Sequence, residues 1–231
     1  MKHAPFPFRL LYVSCIIFIT LTTIGMLYYP GGTLTNHYAR GYDFFNNFFS
    51  DLGRTKTFIG ESKWISFFCF EFALILHSTA ILIFNLNFLR NTNSKQLNKV
   101  AYYTAFVCGI LFPIFLTGIA LTPCDLYLPQ HLDFVFAAFG TLVPLSFSYF
   151  ILIRKHDILP NRYGNVLLFI VIAIVVYIGL MKFGPNPKET PYVQQTAQKA
   201  IVYTMIFSLL YLAKGCIDYS TQLLEHKKFQ A

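Results

Sequence analysis

The sequence predicts an all-α protein, a six-helix transmembrane bundle with both termini on the cytoplasmic side. Three observations predict it. Apolar side chains make up 55% of the 231 residues and charged ones only 12%, whereas about a quarter of the residues in soluble domains are charged. Six apolar runs are long enough to cross a bilayer, and basic residues are enriched at alternate connections between them. The runs leave no space for a soluble domain, so we expect residues 1–231 to form a single integral membrane domain.

Each predicted span is an uninterrupted apolar run, and about 20 such residues cross the hydrocarbon as a helix. Spanning strands would have to close a barrel and alternate apolar with polar residues, which these runs do not do. The predicted spans are 8–29, 64–89, 100–121, 131–153, 166–183 and 200–213. Lys2 and Arg9 precede the first run as in a signal peptide, but no small-x-small cleavage site follows, so we expect it to remain as a span.

The orientation follows from lysine and arginine, which are enriched in cytoplasmic loops. Most of them lie before the first span, between the second and third, between the fourth and fifth, and after the sixth. These residues are Lys2, Arg9, Arg90, Lys95, Lys99, Arg154, Lys155, Arg162, Lys214, Lys227 and Lys228. The third loop, 122–130, has none, although the first loop has Arg40, Arg54 and Lys56 and the fifth has Lys188. The distribution predicts an N-in, C-in topology.

The first loop, 30–63, is the only long connection between predicted spans. Within 42–53, apolar residues recur at the spacing of one helical face and polar residues occupy the other. The apolar set is Phe44, Phe45, Phe48, Phe49 and Leu52, and the polar set is Asp43, Asn46, Asn47, Ser50 and Asp51. The pattern predicts a short amphipathic helix of about three turns. Either this helix lies on the outer leaflet, or its polar face covers a cavity between the spans.

Two short motifs lie in the predicted outer loops. Asn47-Phe48-Phe49-Ser50-Asp51-Leu52-Gly53 follows the first span, and Thr122-Pro123-Cys124-Asp125 precedes His131 at the start of the fourth. Together they resemble the uncharacterised prokaryotic membrane family catalogued as domain of unknown function nine-nine-eight, whose members share a Ser-Asp-Leu-Gly motif and a Pro-x-Asp…His motif. The resemblance extends to the number and spacing of the spans. It implies a prokaryotic membrane protein and supplies no catalytic mechanism.

The Ser-Asp-x-Gly element is also similar, more distantly, to the eukaryotic Frag, DRAM and Sfk family. Members of that family are tied to lipid remodelling and autophagy. Arg54-Thr55-Lys56 stands in this chain where that group has a Pro-Pro-Glu-like continuation. This second similarity likewise supplies no catalytic mechanism.

Asp51, Asp125 and His131 all lie where the chain enters the predicted outer leaflet. Ionisable groups at that boundary are costly unless they are paired or bind a ligand, so we expect the three to converge on one outward-opening pocket. The further members of the predicted pocket are Asn47, Ser50 and Lys199. The alternatives are a turn or cap role for the two aspartates, an interfacial anchor for His131, and a lysine that extends to the headgroups for Lys199.

The second span carries polar residues of its own. Glu71, Ser78 and Asn85 follow one another at intervals of seven and share a helical face, whereas His77 lies on another. The shared face predicts either hydrogen bonds between helices or one wall of a polar pathway.

A pocket at headgroup level with both signs of charge suits an amphiphile. The predicted function is therefore binding or handling a lipid, with membrane lipids as partners. The alternative is a membrane-embedded hydrolase or transferase, with or without a metal ion, that uses Asp125 and His131 as general acid and base, with Asp51 as a further catalytic candidate. A second alternative is a small-solute transporter, for which Glu71 and His77 are the only candidates. The sequence leaves open whether the protein is an enzyme, and it leaves the oligomeric state open.

We predict no cofactor and no metal ion. The outer face offers no His-x-x-x-His pair, and a zinc site would have to be built from His37, His131 and Asp125. Basic residues are scattered between apolar runs rather than clustered on one segment, so no nucleic-acid partner is expected. The expected location is the cell membrane, as a multi-pass protein of the bacterial inner membrane.

Overall fold

The described part of the chain contains six α-helices and one short 3-10 helix. The computed structural model describes residues 6–91, 98–156 and 159–228. The helices are α1 (Phe6–Leu27), α2 (Trp64–Asn91), α3 (Lys99–Ala120), α4 (Leu128–His156), α5 (Asn161–Phe183) and α6 (Pro191–Lys228), and the 3-10 helix is Phe49–Gly53. All six α-helices are long and apolar enough to cross a membrane. They confirm the six-helix transmembrane bundle predicted from the sequence.

The first five predicted spans match their helices closely, but the sixth does not. Helix α6 extends beyond the predicted 200–213 at both ends. An apolar run ends at the first cluster of polar residues, whereas a helix continues wherever its polar side chains are accommodated. At the beginning of α6, Gln195 and Lys199 are buried against other parts of the protein. These polar residues therefore belong to the packed bundle and do not end the helix.

The six helices form a ring in their sequence order. Each helix packs against the next, and α1 closes the ring against α6. Successive spanning helices run in opposite directions, so every second connection lies at one end of the bundle, here called the first-loop end. These connections are 28–63, 121–127 and 184–190. Hydrogen bonds join the segments there, because Thr55 N–H donates to Asp125 and Phe49 N–H donates to Gln198 near the start of α6.

Polar side chains of α2 join it to neighbouring helices. Ser78 Oγ lies 2.9 Å from Thr117 Oγ1 of α3. Asn85 Oδ1 accepts a hydrogen bond from the hydroxyl of Tyr149 on α4. His77 lies on a different face of α2 and contacts α1. These contacts confirm the predicted hydrogen bonds between helices for Ser78 and Asn85, whereas Glu71, the third residue of that face, makes none within the described ranges. They also confirm that His77 is separated from the Ser78 and Asn85 face.

The first loop is helical over only five residues, Phe49–Gly53. A short helix is present, but the predicted three turns over 42–53 are wrong. The chain departs from helical geometry at Phe48, whose backbone is extended (φ −67°, ψ 153°) and whose N–H donates to Asp51 Oδ2 instead of to a carbonyl four residues earlier. Phe45 is 59% exposed whereas Phe49 is 3% exposed, so the phenylalanines do not share one face.

Candidate functional site

Asp51 is the centre of a buried hydrogen-bond network at the first-loop end. Its Oδ2 accepts hydrogen bonds from Asn47 Nδ2 at 3.0 Å and from the backbone N–H of Phe48 at 2.9 Å. Asn47 Nδ2 also donates to the Gly32 carbonyl at 2.8 Å, which ties the 3-10 helix to the turn after α1. Burial raises the pKa of Asp51 above its ordinary value, and the hydrogen bond from Asn47 opposes this effect.

Lys63, the residue before α2, is buried in the same network and is 3% exposed. Its Nζ donates to the carbonyl oxygens of Asp51 and Leu52, both at 2.8 Å, and of Arg54 at 3.0 Å. The ammonium group thereby satisfies carbonyl groups at the C-terminal end of the 3-10 helix. Burial lowers the pKa of Lys63 to about 7, although the nearby Asp51 carboxylate acts in the opposite direction. Sequence analysis did not identify Lys63 as part of the site.

Lys199 joins the network from α6. Its Nζ donates to the carbonyl of Asn47 and, at 2.9 Å, to that of Gln195 one helical turn earlier. The rings of Phe44 and Tyr42 lie 5.3 and 5.7 Å from Nζ. Only 1% of Lys199 is exposed. Lys199 therefore does not extend to the headgroups but lies buried against the first loop.

Asp125 ties the third loop to the first. Its carboxylate accepts a hydrogen bond from the Thr55 hydroxyl at 2.6 Å and others from the backbone N–H groups of Thr55 and Lys56 at 3.0 to 3.1 Å. Burial acts to raise the pKa of Asp125, but these hydrogen bonds outweigh it and hold the pKa below its ordinary value. Asp125 thus holds the chain segment that follows the 3-10 helix, which is the cap-like role considered for it.

His131 lies near the start of α4 and is buried. Its Nδ1 donates to the Thr122 carbonyl at 2.8 Å, because a carbonyl oxygen can only accept. The neutral imidazole then has an acceptor at Nε2. This Nε2 is buried and has no hydrogen-bond partner within the described ranges.

The predicted site residues share one end of the bundle without forming one open pocket. Asn47, Asp51 and Lys199 are packed in a closed network. Across the described ranges, Asp51, Asp125 and His131 form no hydrogen bond with one another. A neighbouring imidazolium would lower the pKa of both carboxyl groups. Burial instead raises that of Asp51, and hydrogen bonds from the first loop lower that of Asp125.

Ser50 and His131 line a small cavity of about 60 Å³ inside the ring. Phe49 of the 3-10 helix also lines it, and the Phe49 N–H donates to Gln198 Oε1 at 2.6 Å. Most of the other walls are apolar side chains of the surrounding helices. The first loop therefore covers a cavity between the spans, but it does so with Phe49 and Ser50 rather than with one polar helical face.

A groove of about 670 Å³ runs along the outside of α2 at the first-loop end. The rings of Phe67, Phe68 and Phe72 line it, and Leu121 after α3 flanks them. Glu71 also lines this groove, which we call the Glu71 groove. Glu71 is 8% exposed, and in the part of the chain that the structure describes neither of its carboxyl oxygens has a hydrogen-bond partner.

A second groove, of about 370 Å³, lies farther along α2 and α3. Ser78, Ile114 and Thr117 line it, and we call it the Ser78 groove. Its polar side chains are paired, since Ser78 and Thr117 contact each other and each also has a backbone acceptor in its own helix. The two grooves therefore differ in whether their polar groups have partners.

Gly53, the last residue of the Ser-Asp-Leu-Gly motif, packs directly on α2. A methyl group at this position would lie 2.6 Å from Phe70 Cδ1 and 2.9 Å from Glu71 Oε1. Only a residue without a side chain lets the 3-10 helix approach α2 this closely. The loop network and the Glu71 carboxyl group are therefore in contact.

The residues from which a metal site would have to be built lie in separate surroundings. The His37 ring stacks on Phe58 with centroids 5.1 Å apart, Asp125 binds the first loop, and His131 binds the Thr122 carbonyl. Among the residues that the structure describes, no group of three or more His, Cys, Asp or Glu side chains is placed to hold a metal ion.

Comparison with known proteins identifies no relative. No family model, no curated protein and no solved structure matches the chain. The resemblance of its motifs to the two membrane families therefore remains a prediction.

Proposed function

We propose that this multi-pass membrane protein binds a lipid or a similar amphiphile in the Glu71 groove. The lining of this open lateral groove carries the proposal, since apolar side chains surround a single acidic group, Glu71, and ligand sites are mostly apolar with a few polar groups. Phe68 and Phe72 are exposed on the lateral surface of α2, where lipid chains surround a spanning helix. An acyl chain in the groove would contact both rings.

The first-loop end is the outer end in this proposal. Lysine and arginine lie mostly in the connections at the other end and near both termini, which favours an N-in, C-in orientation. The groove then opens in the outer leaflet of the membrane, which we take to be a bacterial inner membrane. The loop network above it lies at the level of the lipid headgroups.

The other two functions receive less support from the geometry. A hydrolase would need Asp125 and His131 to act on one substrate, but Asp125 is held by Thr55 and Lys56, and His131 lines the central cavity. A transporter would need a polar path, but that cavity is small and its walls are mostly apolar. Both functions remain predictions.

A photoreactive phosphatidylcholine with a diazirine on one acyl chain tests the proposal. The full-length protein is reconstituted in nanodiscs with this lipid, irradiated, digested and mapped by mass spectrometry. We expect crosslinks to concentrate in the segments 67–75 and 120–123, which contain most of the residues that line the Glu71 groove. Even labelling of all lipid-facing helices would contradict the proposal.

Two matched substitutions make the test specific to the groove. Ile75→Trp fills the Glu71 groove and Ile114→Trp fills the Ser78 groove, and both isoleucines are exposed on the helix surface. We expect Ile75→Trp to reduce crosslinking at 67–75 several-fold and Ile114→Trp to leave it unchanged. Equal effects of the two variants would mean that the groove does not select lipid.

A further inference from the structure

The Glu71 carboxyl group lacks the hydrogen-bond donor that its position requires. It is buried, and none of the described side chains or backbone groups bonds to either oxygen. The nearby cation, Lys63, is already committed to the carbonyls of Asp51, Leu52 and Arg54. An unpaired polar group at membrane depth is unfavourable, and such residues mark functional sites.

At least one Glu71 oxygen needs a donor whatever the protonation state. A carboxylate has only acceptor oxygens, and a protonated carboxyl group keeps one acceptor oxygen beside its O–H. The missing partner must therefore be able to donate. Gly53 lies beside Glu71 Oε1 on the loop side, and Glu71 lines the Glu71 groove on the other. Both oxygens are buried, so a donor in the groove reaches them once the Glu71 side chain rotates toward it.

The depth of Glu71 limits which part of a lipid reaches it. Glu71 follows Trp64, the first residue of α2, by seven positions, which is about 10 Å along the helix axis. Trp64 is exposed at the position where tryptophan prefers the membrane interface. Glu71 therefore lies below the headgroups, at the level of the glycerol backbone and the first methylene groups of the chains.

We infer that the lipid bound in the Glu71 groove carries a free hydroxyl on its glycerol backbone, and that this hydroxyl donates a hydrogen bond to Glu71. The inference rests on the proposed lipid-binding function and deepens it. A diacyl phospholipid presents only ester oxygens at this level, and these can only accept. A diacylglycerol has a hydroxyl there, which donates to a carboxylate and can also accept from a protonated carboxyl group.

The rest of the groove fits the remainder of such a molecule. Phe67, Phe68 and Phe72 offer apolar surface for the acyl chains. The Ser78 groove provides an internal contrast, because its hydroxyl groups bond to each other and to backbone carbonyls. A lipid in the Ser78 groove gains no comparable hydrogen bond, so the preference for a hydroxyl belongs to the Glu71 groove alone.

Two lipids that differ in one group test the inference on the full-length protein in nanodiscs. Dioleoylglycerol has the free hydroxyl, and 1,2-dioleoyl-3-acetylglycerol has an ester in its place with the same chains. Each competes with the diazirine phosphatidylcholine for crosslinking at 67–75. We expect dioleoylglycerol to compete at about tenfold lower concentration, the ratio expected when a buried polar group is left without its partner.

Variants assign this preference to one side chain. Glu71→Leu should abolish it, Glu71→Gln should keep most of it because an amide oxygen still accepts, and Ser78→Ala should leave it unchanged. If both lipids compete equally with the wild type, the inference is overturned while lipid binding in the groove stands. If neither lipid competes and crosslinking is even, the proposed function fails as well. The two-lipid comparison on the wild type decides the matter even if Glu71→Leu does not fold.

Discussion

The first loop and the segment of α2 beneath it differ in whether their buried polar side chains are hydrogen-bonded. In the loop, Asn47, Asp51 and Lys63 are buried, and each makes two or more hydrogen bonds. Directly below, Glu71 is 8% exposed and lines the Glu71 groove, but it has no hydrogen-bond partner in the described ranges. Gly53 connects the two regions, since it belongs to the loop and packs against Glu71 Oε1.

The difference separates groups that build the fold from groups that are available to a ligand. Buried polar groups in folded proteins are nearly always paired, so a paired network needs no partner from outside to explain it. An unpaired group lowers stability and persists where function requires it. By this criterion Asp51, the central residue of the loop motif, is structural. Glu71, which no motif singled out, is the candidate for binding, because it lines the Glu71 groove. Other buried groups without a partner in the described ranges, such as His131 Nε2 and the Gln195 amide, do not line that groove.

The largest expected effect lies in the loop network. Lys63→Met removes the donor for three carbonyl oxygens while keeping most of the apolar length of the side chain. The Asp51 carbonyl keeps the Arg54 N–H as a donor and the Leu52 carbonyl keeps the Ser66 hydroxyl. Because each of the three lost hydrogen bonds contributes about 1 kcal/mol, we expect the free energy of unfolding to fall by about 3 kcal/mol. The measurement is chemical unfolding in mixed micelles, followed by circular dichroism.

Lys56→Met is the matched control for this variant. Lys56 belongs to the same loop, but its side chain is exposed, and its link to Asp125 is through the backbone N–H. We expect a change within about 0.5 kcal/mol, as for most surface substitutions. Similar losses in the two variants would show that charge in the loop, rather than the three carbonyl contacts, is what matters.

The pH dependence of stability sharpens the role of Lys63 further. Its pKa is about 7 in the folded protein and 10.5 as the ordinary value. Between these values the unfolded chain binds the proton that the folded protein has released, so stability rises with pH. The gap in unfolding free energy between the wild type and Lys63→Met should widen by about 1 kcal/mol per pH unit from pH 7.5 to 8.5. A constant gap would mean that Lys63 stays protonated in the fold.

Substitution of Glu71 should raise the free energy of unfolding, whereas substitution of Lys63 lowers it. Glu71→Leu replaces an unpaired buried carboxyl group with an apolar side chain of similar size. Replacing buried ionic groups with apolar ones is often neutral or stabilising, so we expect the free energy of unfolding to rise by about 1 kcal/mol in lipid-free micelles. A loss of 2 kcal/mol or more would place Glu71 with the structural groups and would remove the contrast on which its binding role depends.

The spans could be predicted because the bilayer dictates the length and continuity of their apolar runs. The hydrogen bonds of Ser78 and Asn85 could also be predicted, since a spacing of seven puts these residues on one helical face. The role of Lys63 could not be predicted. A lysine beside an apolar run normally extends to the headgroups, and only the approach of the 3-10 helix reveals carbonyls that bury it.

The first loop resisted prediction for a related reason. Its apolar spacing is helical, but the backbone is extended at Phe48, because the Phe48 N–H bonds to the Asp51 carboxylate and Asn47 bonds to the Gly32 carbonyl. The contact between Thr55 and Asp125 joins residues 70 positions apart, which no local pattern encodes. The sequence therefore predicted which end of the bundle holds the site residues, but not which of them have partners.

The smallest expected effect concerns the paired hydroxyls of the Ser78 groove. Ser78 Oγ and Thr117 Oγ1 lie 2.9 Å apart, while each also has a backbone acceptor in its own helix, Ile75 O and Pro113 O. Two hydroxyl hydrogens serve three contacts, so loss of one partner leaves the other hydroxyl free to bond its own helix. We expect a double-mutant cycle of Ser78→Ala and Thr117→Val to give a coupling of about 0.6 kcal/mol or less, the average for such pairs between spanning helices. Unfolding of the wild type, the two single variants and the double variant in the same micelles measures it. A coupling above about 2 kcal/mol would show that paired hydroxyl groups in the spans stabilise the bundle as strongly as the loop network does. The contrast between the loop and α2 would then apply to Glu71 and not to the other polar side chains of α2.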